Sequence, residues 1–368
     1  MKGPFFELNF SNLSAVSLSQ VQRRCAFKQP RLDCNRMKNF VRKTLVCALT
    51  AAAGLSATAA FAQSNVTMYG RVDLGLRYES ADSKPSTQME SGTYSALGFK
   101  GQEDLGGGLK AFFQMEHRMD ASTGANKDTE SFFNDISVIG LSGDFGTVRL
   151  GRSDNTFDIA ADPDAFGGDY VGGRGNRRAG ADEKWNNGVM YFTPEMYGFQ
   201  AVLGTSLSER AEFGNGERQK NPVAVAVLYK NGPLTSSLGY MQRANQDKVV
   251  GGSATYDFGV AKTFMTVAHN DGKGNGQMVD GEQDGKRTTY DLGVAVPVTA
   301  AGSVRAKYNF DRKDLHAVGG VLTKTHDLGL GYWHNLSKRT QLYVTGNVEK
   351  IEGQKTTRAM DMGVVHDF

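Results

Sequence analysis

Along most of this chain, apolar and polar residues alternate one for one. Val66, Met68, Val72, Leu74 and Leu76 interleave with Thr67, Tyr69, Arg71, Asp73 and Arg77. Ala111, Phe113 and Met115 interleave with Lys110, Gln114, Glu116 and Arg118, and Val304, Ala306, Tyr308 and Phe310 with Arg305, Lys307, Asn309 and Asp311. A period of two puts each set on its own face of an extended strand. No stretch keeps a helical period. A half-buried sheet in a soluble domain has the same alternation, so the pattern predicts strands without choosing their setting.

The connections choose it. Short turns bearing Gly, Asn or Pro recur at Asp104–Gly108, Gly143–Gly146, Thr193–Gly198, Lys230–Pro233, Asp257–Gly259, Pro297–Gly302 and His334–Lys338. Mostly longer polar gaps lie between them, at Ser80–Gly92, Asp120–Glu130, Ser153–Asn186, Ser208–Asn221, Arg243–Asp247, Asn270–Lys286, Arg312–Leu322 and Glu352–Thr357. Seven short and eight long connections, in strict alternation, separate sixteen strands. Most strands have about 9–11 residues, the length that crosses a bilayer at a tilt. An even antiparallel count with short turns at one end and long loops at the other is the layout of an outer-membrane barrel. Such a sheet crosses lipid only if it closes and leaves no edge. Tyr69, Tyr78, Phe99, Phe112, Phe113, Tyr191, Phe192, Tyr229, Tyr240, Tyr308, Tyr332, Trp333 and Tyr343 stand near strand ends, and some are expected in the interfacial girdles.

One connection stands out. After the strand Gly146–Gly151 the chain is expected to stay irregular from Arg152 to Trp185. Asp154, Asp158, Asp162, Asp164 and Asp169 occupy its first half, and Arg174, Arg177 and Arg178 its second. Loops of this length are usually functional or disordered.

The leading residues change the bulk picture. Met37–Lys43 is a basic segment, Thr44–Thr58 an apolar one, and Ala60-Phe61-Ala62 a cleavage pattern before Gln63. These are the three parts of a secretory signal peptide, and the apolar run is short for a spanning helix. Residues 37–62 therefore read as the signal, residues 1–36 as an over-extended, disordered start, and 63–368 as the barrel. Setting 1–62 aside removes nine of the 42 Lys+Arg and two of the 39 Asp+Glu. The remaining 33 basic and 37 acidic residues carry a formal charge of −4, which gives no reason to expect a nucleic-acid partner. Cys25, Cys34 and Cys47 all precede Gln63, so the mature chain offers no disulfide, thiol nucleophile or cysteine metal site.

Several stretches resemble a known family. Ala62-Gln63-Ser64-Asn65-Val66-Thr67-Met68-Tyr69-Gly70 with Asp73, Gly101–Ala111 and Gly140–Arg152 are similar to trimeric general porins of the neisserial and Burkholderia type. The closing Met362–Phe368, with Phe368 terminal, resembles the assembly signal of outer-membrane barrels. The resemblance spans 63–368. It implies an all-β fold, a 16-stranded antiparallel transmembrane β-barrel with an inward-folded third extracellular loop. It also implies a homotrimer in the bacterial outer membrane, among its lipids, passing small hydrophilic solutes and ions by passive diffusion. The third loop is Ser153–Asn186, where Asp162-Pro163-Asp164-Ala165-Phe166-Gly167 replaces the family's shorter Asp-Pro-Phe-Gly pattern.

A diffusive pore needs an opening and a field rather than a catalyst. Asp158, Asp162 and Asp164 are the loop candidates for the constriction. Alternation places Arg71, Arg77, Lys100, Lys110, Arg118, Arg149, Arg305 and Lys307 on the lumen wall, where the ordinary role of such charges is to hydrate the channel or pair with Asp73, Glu116 and Asp311. Arg174, Arg177 and Arg178 are expected to pair with the wall or with an anionic solute. No nucleophile-elbow, metalloprotease or P-loop motif occurs, and His117, His269, His316, His326, His334 and His366 are scattered. No enzyme activity, cofactor or metal is expected. The Asp271–Glu282 stretch has the length of a calcium loop, but Lys273 stands where an oxygen ligand is needed. A substrate-selective channel for a sugar or organic anion is the alternative on the same barrel, and a barrel enzyme or adhesin a more distant one.

Overall fold

The computed structural model describes residues 65–81, 84–127, 131–161, 163–175, 179, 184–207, 220–244, 246–272, 278–279, 282–283, 285–315 and 321–368. Residues 1–64, Asp162, Arg177, Arg178 and His316 lie outside them. The sixteen long strands are β1 (Asn65–Ala81), β2 (Ser95–Gly106), β3 (Leu109–Asp120), β4 (Ile136–Gly143), β5 (Gly146–Asp154), β6 (Lys184–Phe192), β7 (Phe199–Ser206) and β8 (Val223–Asn231), then β9 (Leu234–Gln242), β10 (Lys248–Asp257), β11 (Lys262–Asp271), β12 (Lys286–Pro297), β13 (Gly302–Leu315), β14 (Val321–Asn335), β15 (Thr340–Ile351) and β16 (Thr357–Asp367).

Each strand pairs antiparallel with its successor. β16 returns to β1, from Arg71 opposite Asp367 to Ser80 opposite Arg358. The sheet is thus a closed barrel, and its backbone groups pair within the wall as lipid requires. Among the described residues no helix is long and apolar enough to cross a membrane; the strands do so.

All seven short turns fall where the sequence places them. In the β2–β3 turn, Gly106, Gly107 and Gly108 have φ of +84°, +60° and +81°, a left-handed run that side chains resist. The long connections meet at the other end. The first is more regular than expected, because Lys84–Glu90 folds back on the upper half of β1, with Gly75 opposite Glu90 and Ala81 opposite Lys84. The third contains a short helix, α1 (Thr156–Ala161), and a 3-10 turn at Val171–Gly173. The thirty irregular residues expected there are therefore interrupted.

The two faces of the wall differ sharply. Val66, Ile139, Leu238 and Leu330 are each 60–64 % exposed, and they share the outer face with other large aliphatic residues. So much exposed apolar surface suits lipid, not water. The alternate positions are polar and buried, among them Asp73, Thr289, Asp291, Asn309, Asp327 and Asp361. Five of the aromatics expected in the girdles belong to this second face: Tyr69, Phe112, Phe192, Trp333 and Tyr343. Trp333 and Tyr343 are cross-strand partners buried away from lipid, and the Tyr69 hydroxyl donates to Glu116 at 2.8 Å. Parity explains the correction. Tyr332 and Val344, one residue away, hold the outward positions.

Candidate functional site: the third loop and the passage beside it

The third loop starts where β5 ends. The Asn155 side-chain oxygen accepts from the amides of Phe157 (2.8 Å) and Asp158 (3.0 Å), capping α1. Asp158 sits in the first turn, where the helix dipole favours an acid, and accepts from the Asn155 amide group at 3.0 Å. The cap fixes which face of α1 meets the wall. Phe157 and Ala161 are fully buried with Trp185, Met190, Met241, Val249 and Ala268, and Ala160 with Val202 and Ala226. Burying the Phe157 ring alone contributes about 1.5–3 kcal/mol. The wall is small-sided where the helix approaches: a Cβ at Gly239 would lie 2.9 Å from that of Ala160. The Ala160 carbonyl, an acceptor left open at the helix end, takes hydrogen bonds from Ser253 (2.9 Å) and Ser237.

Beyond α1 the attachment becomes polar and aromatic. Thr266 donates to the Pro163 carbonyl at 3.2 Å. Asp164 folds its carboxylate back onto the amides of Phe166 and Gly167 (3.0 Å to the latter), which sets the turn. Arg305 donates to the Phe166 carbonyl at 3.0 Å, with its guanidinium 4.2 Å from the Trp333 ring centroid. Phe166 and Tyr170 both meet Trp333 edge to face, at 5.2 and 5.3 Å, and Tyr170 meets Tyr343 at 4.8 Å. Burial, then the nearby Asp73 charge, pushes the Tyr170 hydroxyl up to about 12, so it stays neutral.

The 3-10 turn carries the remaining contacts. The Val171 amide donates to Asp361 at 2.9 Å, and the Gly172 amide to Thr345 at 2.8 Å. Lys307 donates to the Gly173 carbonyl at 2.7 Å while pairing with Asp291 at 3.0 Å. Arg174 pairs with Glu79 at 2.6 Å, the wall contact expected of it. Gly329 makes room, because a Cβ there would overlap the Gly172 carbonyl oxygen. Between Asn155 and Arg174 the loop thus touches an unbroken run of strands from β6 through β16 to β1.

Beside the loop lies a cavity of about 640 Å³. Asp154, Asp158, Asp164 and Asp169 border it, as do Arg118, Lys184 and Lys262. Three predicted residues, Asp158, Asp164 and Arg118, therefore meet at one space. The other predicted bases have separate roles. Arg305 and Lys307 hold the loop. Arg71 pairs with Asp367 at 2.7 Å, Arg77 with Glu90, and Arg149 faces Met190 Sδ at 3.0 Å. Lys100 lies 4.9 Å from the Tyr69 ring centroid, and Lys110 opposes Asp104 in the β2–β3 register. Phe368 exchanges backbone hydrogen bonds with Gly70 at 3.0 and 3.1 Å, tying the terminus to β1.

Sequence reasoning missed Lys184, Lys262 and Tyr94. Lys184 joins Asp135 and Asp154, each at 2.5 Å, and Asp135 also takes Arg118 at 3.0 Å. Burial would raise the Asp135 carboxyl, but a hydrogen bond from Glu116 and the two cations hold it below the usual carboxylate range. Lys262 could have been found by parity, since it shares a face of β11 with Phe264 and Thr266.

The comparisons agree with this geometry. The family model for Gram-negative porins matches residues 48–354. Outer membrane porin protein 32 of Delftia acidovorans is 36% identical over 329 residues, covering 82% of this chain and 88% of that one. Major outer membrane protein P.IB of Neisseria meningitidis serogroup B is 32% identical over 202 residues, covering 52% of this chain and 56% of its own. Among solved structures, an anion-selective porin from Comamonas acidovorans superposes with a TM-score of 0.71 at 29% identity, over 83% of this chain and all of that one. The chain belongs to the Gram-negative porin family: it is an outer-membrane channel protein, not an enzyme, and its closed barrel passes small hydrophilic solutes by passive diffusion.

Proposed function

We propose that Asn155–Arg174 lies within the barrel and narrows it, so that solutes cross a constriction with acids on the loop and bases on the wall. One observation carries this reading. The segment hydrogen-bonds to polar, lipid-averted side chains on β9, β10, β11, β13, β15 and β16, an arc that takes in half of the closed wall. The cavity between the loop and the rest of the wall is then the passage. Asp164 and Asp169 line it together with Arg118 and Lys262, and fixed charges of both signs orient passing ions and water. Charges of both signs suit a general diffusion pore better than a channel for one solute. Residues 37–62 direct export, and three copies assemble, as the family resemblance implies.

The experiment is single-channel recording in planar bilayers. Wild type should show stable conductance, and loosening the loop by Arg305→Gln should raise it. If the variant conducts and fluctuates as wild type does, the loop does not set the pore. A second reading is a preference for anions. It is favoured by the likeness to the anion-selective porin from Comamonas acidovorans and by Arg71, Arg118 and Lys262 on the wall. The reversal potential in a salt gradient decides it by its sign.

A further inference from the structure

The third loop is not the sole inward element. Between Glu90 and Ser95 the strand pattern breaks, and the chain bends at Ser91–Tyr94. Asp73, fully buried on β1, anchors the bend. Its carboxylate accepts from the Thr93 amide at 2.6 Å and from the Tyr343 hydroxyl at 2.9 Å. Its carbonyl accepts from Ser91 at 2.8 Å and Ser95 at 3.1 Å, and its amide donates to Ser95 at 3.0 Å. The bend also touches the third loop: a Cβ at Gly168 would lie 2.5 Å from the Thr93 hydroxyl oxygen.

This anchoring delivers the Tyr94 ring to a particular place. The guanidinium carbon of Arg118 lies 4.3 Å from its centroid and that of Arg71 5.2 Å from it. Each arginine is also fixed by a carboxylate, Asp135 or Asp367. Flat guanidinium groups attract aromatic faces, so the ring and its two cations hold one another in position. Tyr94 also borders three cavities: the central one of about 640 Å³, one of about 390 Å³ with Glu90 and Lys127, and one of about 260 Å³ with Tyr69 and Phe368. A side chain that borders all three spaces stands where they approach one another.

We propose that Tyr94 is a specificity-determining residue of the passage, its ring setting how large a solute can move along the β1–β3 wall. The proposal rests on the reading that the space beside the third loop conducts. It differs from that reading in naming a constricting group that the loop does not supply.

The test compares the full-length protein with Tyr94→Ala, Tyr94→Phe and Tyr94→Trp, using Arg305→Gln as the loop control. Each is reconstituted in planar bilayers, and in liposomes whose swelling in sugars of increasing size reads the exclusion limit. Tyr94→Ala should raise conductance roughly 1.5-fold and admit larger sugars, while Tyr94→Trp lowers both. Tyr94→Phe should match wild type, because the ring matters and the hydroxyl does not. If Tyr94→Ala and Tyr94→Trp both behave as wild type while Arg305→Gln alters conductance, the proposal falls and the loop reading stands. If neither position matters, both fall. A Tyr94→Phe variant as altered as Tyr94→Ala would also overturn the role given to the ring.

Discussion

The two halves of the third loop are held to the same wall by different forces. Around α1 the contact is mainly apolar: Phe157, Ala160 and Ala161 against Met190, Val202, Ala226, Met241 and Val249. From Phe166 to Arg174 polar anchors join an aromatic cluster: Arg305, Lys307, Thr345, Asp361 and Glu79 each meet a backbone or charged group of the loop, while Phe166 and Tyr170 pack on Trp333 and Tyr343. Apolar packing holds a segment near a surface with little regard to register. Charged and backbone hydrogen bonds fix where each carbonyl and amide sits. Of the loop acids that border the cavity, Asp164 lies at the junction of the two halves, with Asp158 in the first and Asp169 in the second. The first half supplies adhesion and the second supplies position, and a channel of defined width needs both.

The largest expected effect comes from the apolar half. Phe157→Ala should cost about 3–5 kcal/mol of loop attachment, because it empties a fully buried site. The measurement is protease susceptibility of the folded barrel together with open-channel noise. A protease-resistant, quiet variant would mean that packing does not hold this half. Lys307→Met comes next. It removes one cation from the buried Asp291 carboxylate and should cost about 3 kcal/mol. Adding Asp291→Asn should recover much of the loss in thermal unfolding, and no recovery would dissolve the pair as an anchor. Arg305→Gln removes one charge-assisted bond to the Phe166 carbonyl, about 1.5–3 kcal/mol, and should loosen the loop less.

The smallest effects are electrostatic. Asp164→Asn keeps an oxygen to accept the Gly167 amide, so the turn should survive while the reversal potential moves toward anions. An unchanged potential would remove Asp164 from the constriction. The pairing of Asp135 with Arg118 and Lys184 offers a pH test. Because Asp135 titrates below its ordinary value of about 4, its contribution is complete above that value and is lost as the pH falls through the lower folded one. On the acid limb, conductance changes that depend on Asp135, identified by comparison with Asp135→Asn, should therefore appear below about pH 4. A midpoint at pH 5 or above would contradict the assigned pairing.

The same contrast explains what could be read from the sequence. Strand number and faces were legible because alternation and turn residues are local signals. The sixteen strands and seven short turns sit where the chain's punctuation put them. Arg305, Lys307 and Arg118 were legible by parity, although two of them proved to be loop anchors. α1 was not legible, because six residues are too few to show a helical period. Their helicity depends on an Asn155 cap and on small wall residues far away in sequence. Nor was the inward placement of Trp333 and Tyr343, since an aromatic near a strand end suits either face until register is known. The bend at Ser91–Tyr94 was hidden for a related reason: it depends on Asp73, some twenty residues upstream.

Whether the junction of the two loop halves borders the conducting passage can be read by placing a thiol there. Asp164→Cys is reconstituted as single channels and exposed to a small charged thiol reagent, with wild type as the control. Current should fall stepwise as each channel is labelled, and should not fall in wild type. Complete labelling, verified by mass, with the current unchanged would place residue 164 outside the path of the ions.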